Sequence, residues 1–189
     1  MKKIIYIISL FVSSVLYTSC GALDLAPEDY FGSGNYWNNE AQVEGFMYGM
    51  HSQLRGNYDM FYCLGELRGG TQRVGSSSQN TSLDYAILRT NTLSQDNPGF
   101  TNWFGLYSPI MQVNHFIQKV ENECAFLSEA DRKTYLGQAY GLRALYYFML
   151  YKTYGGVPIV TTVELLDGKV TADKFYVERA TPEATLSFI

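Results

Sequence analysis

The stretch from Ser128 to Pro158 constrains this chain more than any other part of it. Ser128 reads as a helix N-cap, with Asp131 at the third helical position and Leu127 placed to act as a hydrophobic staple. No proline lies between Ser128 and Pro158. Leu136, Tyr140, Arg143, Tyr147 and Leu150 recur at three- and four-residue spacing as far as Tyr154. Gly155-Gly156 then stops the helix, and Pro158 prevents its resumption. A helix this long with an aromatic stripe must bury that stripe against other helices.

Candidate partners lie on both sides. A helix is expected to start near Asn39, with Gln42 as its capping-box partner, and to stop at Gly56-Asn57. Trp37, Ala41, Phe46, Met50 and Leu54 mark its apolar side, with Met47 beside them. A second is expected from Pro98 or Thr101 to Glu123, its buried face carried by Trp103, Leu106, Tyr107, Ile110, Asn114, Ile117 and Val120. Pro109 lies inside that helix and removes the bond back to Gly105, so a kink is expected there. Val157 to Val163 reads as a short extended segment. Thr181-Pro182-Glu183 then opens a further helix with a cap and an N1 proline, and Leu186 and Ile189 begin its apolar stripe. Two turns without a partner are marginal in water, so the expectation is a fragment of a longer chain.

Between Gly56 and Asn97 the helical period fails, and the reading is a long irregular loop rich in Gly, Ser, Thr and Asn. Such excursions are uncommon in compact domains; this one is read as functional, with a disordered loop as the alternative. The loop combines Tyr58, Tyr62 and Tyr85 with Arg68, Arg73 and Asn80. Aromatic faces stack on sugar rings, and forked donors and amides meet their hydroxyls. Arg68, Arg73, Asn80 and Tyr85 are therefore the candidate ligand residues.

The beginning of the chain reads as an address. Lys2 and Lys3 precede an apolar run from Ile4 to Leu16, too short to span a bilayer and suited to a signal peptide. Leu16-Tyr17-Thr18-Ser19-Cys20 resembles the lipobox of bacterial lipoproteins, although Tyr17 stands where an aliphatic residue is usual. That resemblance implies cleavage after residue 19 and acylation of Cys20. An ordinary secretory signal is the alternative. Residues 20–36 read as an extended lead-in after the lipid anchor, and 37–189 as a helical domain.

Composition narrows the functions. With 16 Tyr, 11 Phe and 2 Trp among 189 residues and a net charge of −4, the chain is too apolar for disorder and too acidic for nucleic acid. Cys63 and Cys124 stand 61 residues apart without framework spacing and read as free thiols. Two histidines and no CxxC or HExxH leave no metal site, and no cofactor motif occurs. No catalytic constellation is visible. Glu66 and Asp84 are the only loop carboxylates to watch.

The segment from Leu136 to Pro158 resembles the hallmark of the SusD/RagB family, surface nutrient-binding lipoproteins of Bacteroidetes. Arg143-Ala144, Tyr147-Phe148 and Tyr154-Gly155-Gly156-Val157-Pro158 carry the likeness. Trp103, Leu106, Tyr107, Ile110 and Asn114 resemble the preceding family helix, and Arg179-Ala180-Thr181 the start of the next. Gln138 and Gly141 depart from the pattern, which bears on local packing. The resemblance implies an all-α fold of tetratricopeptide-like helical pairs, and Arg143, Ala144, Tyr147, Gly155 and Pro158 as structural hallmark residues. It also implies a non-catalytic, lipid-anchored outer-membrane protein that binds oligosaccharide, or in some members peptide. Its partner would be a TonB-dependent, SusC-like transporter. A helical-repeat scaffold for protein partners and a surface glycoside hydrolase remain the alternatives.

Overall fold

The structure is a computed structural model that describes residues 36–71, 90–92, 94, 103–162 and 177–189. The chain divides into two units, 1–38 and 39–189. Of the first, only residues 36–38 are described; there the rings of Tyr36 and Trp37 meet edge-on at 5.0 Å. All the described regular structure is helical and lies in the second: α1 Glu40–Gly56, α2 Tyr58–Tyr62, a π-helix Cys63–Leu67, α3 Phe104–Asn122, α4 Glu129–Tyr154 and α5 Pro182–Phe188. The all-α reading holds.

The caps are those the sequence announces. Asn39, Ser128 and Thr181 each accept a bond from the amide three residues on, at 3.1 Å in every case. Trp37, however, precedes α1 instead of starting its stripe, and the side that α1 buries is Val43, Met47 and Met50. Ala41 is exposed. α3 carries Pro109 within its span and buries the expected face, including the polar Asn114.

α3 is the central helix of the second unit, packed against both α1 and α4. Phe116, fully buried on α3, stacks on Phe46 of α1 at 5.8 Å and meets Tyr135 of α4 edge-on at 6.4 Å. Polar contacts also link α1 to α4 directly: His51 Nε2 to Gln138 Oε1 at 3.3 Å, and Tyr135 to Glu40. Arg132 of α4 closes the α3–α4 turn by donating to the carbonyl of Val120, in the last turn of α3, and to that of Cys124 in the turn itself.

One expectation needs correcting. The stretch after Gly56 is not irregular throughout, because Tyr58–Leu67 is helical and belongs to the core. Cys63, Leu64 and Leu67 are buried with Leu106, Ile110, Tyr146, Tyr147 and Leu150. Arg68 N–H bonds to Cys63 O across five residues, the wide turn of a π-helix. The run is short and bounded by Gly56-Asn57 and Gly69-Gly70, turn signals that mask its helical spacing in the sequence. Cys63 and Cys124 are both buried thiols. Among the described residues, no helix is long and apolar enough to cross a membrane.

Candidate functional site

The hallmark residues converge where α4 ends. Gly155 takes φ +73°, a conformation that favours glycine, and its N–H bonds to Tyr151 O at 2.9 Å. Gly156 is required for a different reason: a Cβ there would lie 2.1 Å from Ala180 O and 2.9 Å from the Thr181 carbonyl carbon. Two backbones touch at this point, which only glycine permits.

Side chains grip the backbone beyond Gly156. Tyr107 of α3 donates its hydroxyl to Pro158 O at 2.5 Å. Tyr147 of α4 accepts from Val160 N–H at 2.7 Å and lies 3.2 Å from Val160 O. Asn114 donates to the same carbonyl at 2.8 Å and accepts from Arg143 Nη1 at 3.0 Å. Arg143 in turn lies over the Tyr140 ring at 5.0 Å and the Phe188 ring at 5.3 Å. From the other side, Thr185 accepts from Val157 N–H, and Ala180 N–H bonds to Val157 O. Arg179 caps α4 by donating to Tyr154 O and Gly156 O, while stacking on Trp103 at 5.4 Å.

This clasp binds its own chain. Burial, and then the neighbouring Tyr147, pushes the Tyr107 phenol well above the ordinary tyrosine range, against an opposing pull from Arg179. Burial also raises Tyr147, opposed by its bond to Val160 and by Arg143. Both hydroxyls are held neutral and committed to backbone, which suits positioning and leaves no poised acid or base. Ala144 is half-buried on the same helix. The sequence marked Asn114 only as a buried position; its part in joining Arg143 to Val160 emerges from the fold.

Of the ligand residues expected in the loop, Arg68 is described, and Arg73, Asn80 and Tyr85 lie outside the described residues, as do Cys20 and Asp84. Arg68 is half-buried and donates Nε–H to Asn91 Oδ1 at 2.8 Å. It does not pair with Glu66, whose Oε2 accepts from Thr71 at 2.7 Å. Asn91 takes φ +56° and Gly70 φ +76°. Nearby in sequence, Tyr58 and Tyr62 stack at 6.3 Å with an interplanar angle of 20°, and Tyr58 is 65% exposed. No cluster of three or more metal-ligating side chains occurs among the described residues.

Comparison with known proteins places the chain in a family. Residues 33–189 match the SusD-like family model described as starch-binding and associating with the outer membrane. SusD-like protein P38 of Formosa agariphila is 26% identical over 167 residues. That alignment takes in 87% of this chain but 32% of the relative. Among solved structures, NanU of Bacteroides fragilis is 32% identical with a TM-score of 0.66, over 87% of this chain and 31% of its own. A SusD-like protein of Bacteroides fragilis NCTC 9343 is 18% identical with a TM-score of 0.65, over 87% of this chain and 30% of its own. A laminarin-binding SusD-like protein is 21% identical with a TM-score of 0.59, over 79% of this chain and 32% of its own. The chain thus spans about a third of the length of these relatives. With the hallmark helices, the glycine stop and the family match over most of its length, the chain belongs to the SusD-like family.

Proposed function

We propose that the protein carrying these residues captures oligosaccharide at the outer-membrane surface and hands it to a TonB-dependent transporter, without catalysing any change in it. The family match across residues 33–189 carries this reading, and laminarin binding by a structural neighbour supports a glycan as ligand. Lipid attachment at Cys20 holds the protein to the membrane, and the loop containing Arg68, Arg73, Asn80 and Tyr85 meets the ligand.

Calorimetric titration of the full-length protein with laminarin and starch oligosaccharides, then chromatography of the sugars, tests the capture step. Binding with the sugars recovered intact is expected. Shortened products would favour a hydrolase, and no binding to any glycan would favour a scaffold. For the anchor, Cys20→Ala is expected to release the protein from the membrane fraction. A variant still needing detergent for extraction would refute lipidation.

A further inference from the structure

Arg68 is held at both ends. At its base the wide turn of the π-helix closes on it: its own N–H bonds to Cys63 O at 3.2 Å, and the next amide, Gly69 N–H, bonds to Gly65 O at 2.8 Å. Such turns recur at functional sites. At its tip, Nε–H donates to Oδ1 of Asn91, 23 residues further along the chain, at 2.8 Å. Nε is the donor nearest the aliphatic stem, and the two Nη groups form the other end of the guanidinium plane. A bond at Nε therefore sets the direction of the Nη groups. Asn91 is itself fixed. Its φ of +56° lies in the left-handed region, which Asn tolerates better than most residues with a side chain. The hydroxyls of Thr90 and Thr92, on either side of it, bond to each other at 2.8 Å and pinch the chain around it. The Arg68–Asn91 bond is exposed, and one exposed hydrogen bond adds little to folding. Its larger consequence is to order an arginine whose long stem otherwise samples many rotamers.

We propose that Asn91 is a positioning residue for ligand binding, presetting the direction in which Arg68 offers its Nη groups. The role rests on the proposed reading of the Arg68 loop as the face that meets glycan. Asn91 acts through Arg68 and not as a contact of its own. The arginine is ordered before the ligand arrives, so binding takes away less side-chain freedom and the gain appears as affinity.

A double-mutant cycle on the full-length protein, titrated with laminarin and starch oligosaccharides, tests this role. Asn91→Gly keeps the left-handed backbone and removes the acceptor. It should weaken binding about threefold to tenfold, the scale of ordering one long side chain. In an Arg68→Ala background the same change should have no effect. Asn91→Asp still accepts from Nε–H and should bind within about twofold of the unaltered protein. Equal losses from Asn91→Gly with and without Arg68 would make Asn91 an independent contact and overturn the role. So would unchanged affinity of Asn91→Gly where Arg68→Ala binds weakly, or Asn91→Asp binding as poorly as Asn91→Gly. Arg68→Ala binding as tightly as the unaltered protein would instead remove the loop reading, and the role with it. Failure of the unaltered protein to bind either sugar would remove the glycan reading as well.

Discussion

The chain uses the same dipeptide twice, to opposite ends. Gly155-Gly156 closes α4 and Gly69-Gly70 lies just past the π-helix. Each pair has one glycine at positive φ, +73° at Gly155 and +76° at Gly70. Each has one where a Cβ would meet backbone, at 2.1 Å from Ala180 O for Gly156 and 2.9 Å from Gly65 O for Gly69. The two exits then part ways. After Gly156, side chains from α3, α4 and α5 bind the backbone from Val157 to Val160, and Arg179 holds the Gly156 carbonyl. After Gly70, the bonds described nearby are Thr71 to Glu66 and Arg68 to Asn91. A helix stop becomes rigid scaffold only when its neighbours satisfy the chain that leaves it.

Gly156→Ala should widen this contrast most. The added methyl group has backbone on its far side and nowhere to move, so a loss of about 3 kcal/mol or more is expected. Gly70→Ala meets open space and carries only the strain of its φ, about 1–2 kcal/mol. Urea denaturation of the two variants measures the difference. Equal losses would mean that the two exits are equally constrained.

Tyr147→Phe has the next largest effect. It leaves the Val160 amide without its 2.7 Å acceptor, at a cost of about 1–3 kcal/mol. Loss of this half-buried donor's partner should also raise the hydrogen-exchange rate at Val160. An unchanged exchange rate would show that the clasp does not hold that segment.

Alkaline pH tests the clasp through Tyr107 and Tyr147. The folded-state pKa values of Tyr107 and Tyr147 lie above the ordinary value. The unfolded chain therefore releases these protons first, near about pH 10. The stability they contribute is whole below that point and falls as pH rises beyond it. Urea midpoints taken upward from pH 8 should drop above about pH 10, and Tyr147→Phe should flatten the drop. A midpoint indifferent to that range would contradict the burial of these phenols.

The clasp is legible in sequence where its parts obey local rules. Ser128, Gly155 and Pro158 act within a few residues of themselves, and so their roles can be read directly. Thr181 is likewise read from its own cap. The bonds from Asn114 and Tyr107 to Val160 and Pro158 cross about half a hundred residues, 46 and 51 respectively, which no periodicity encodes. Tyr58–Leu67 misleads because it is short and set between Gly56-Asn57 and Gly69-Gly70, turn signals that outweigh the helical spacing of Met60, Cys63, Leu64 and Leu67. The crowding at Gly156 is equally invisible, since its cause is the carbonyl of Ala180.

Arg68 and Tyr147 give the most direct test that the clasp is scaffold and the loop is the binding face. Glycan affinity and melting temperature are measured on the same samples of full-length Arg68→Ala and Tyr147→Phe. Arg68→Ala should lose about tenfold in affinity, the scale of a bond to a charged donor, with its melting temperature unchanged. Tyr147→Phe should melt several degrees lower yet bind normally below its transition. The reverse pattern, with affinity lost at Tyr147 and stability lost at Arg68, would contradict the division of labour between the two glycine exits.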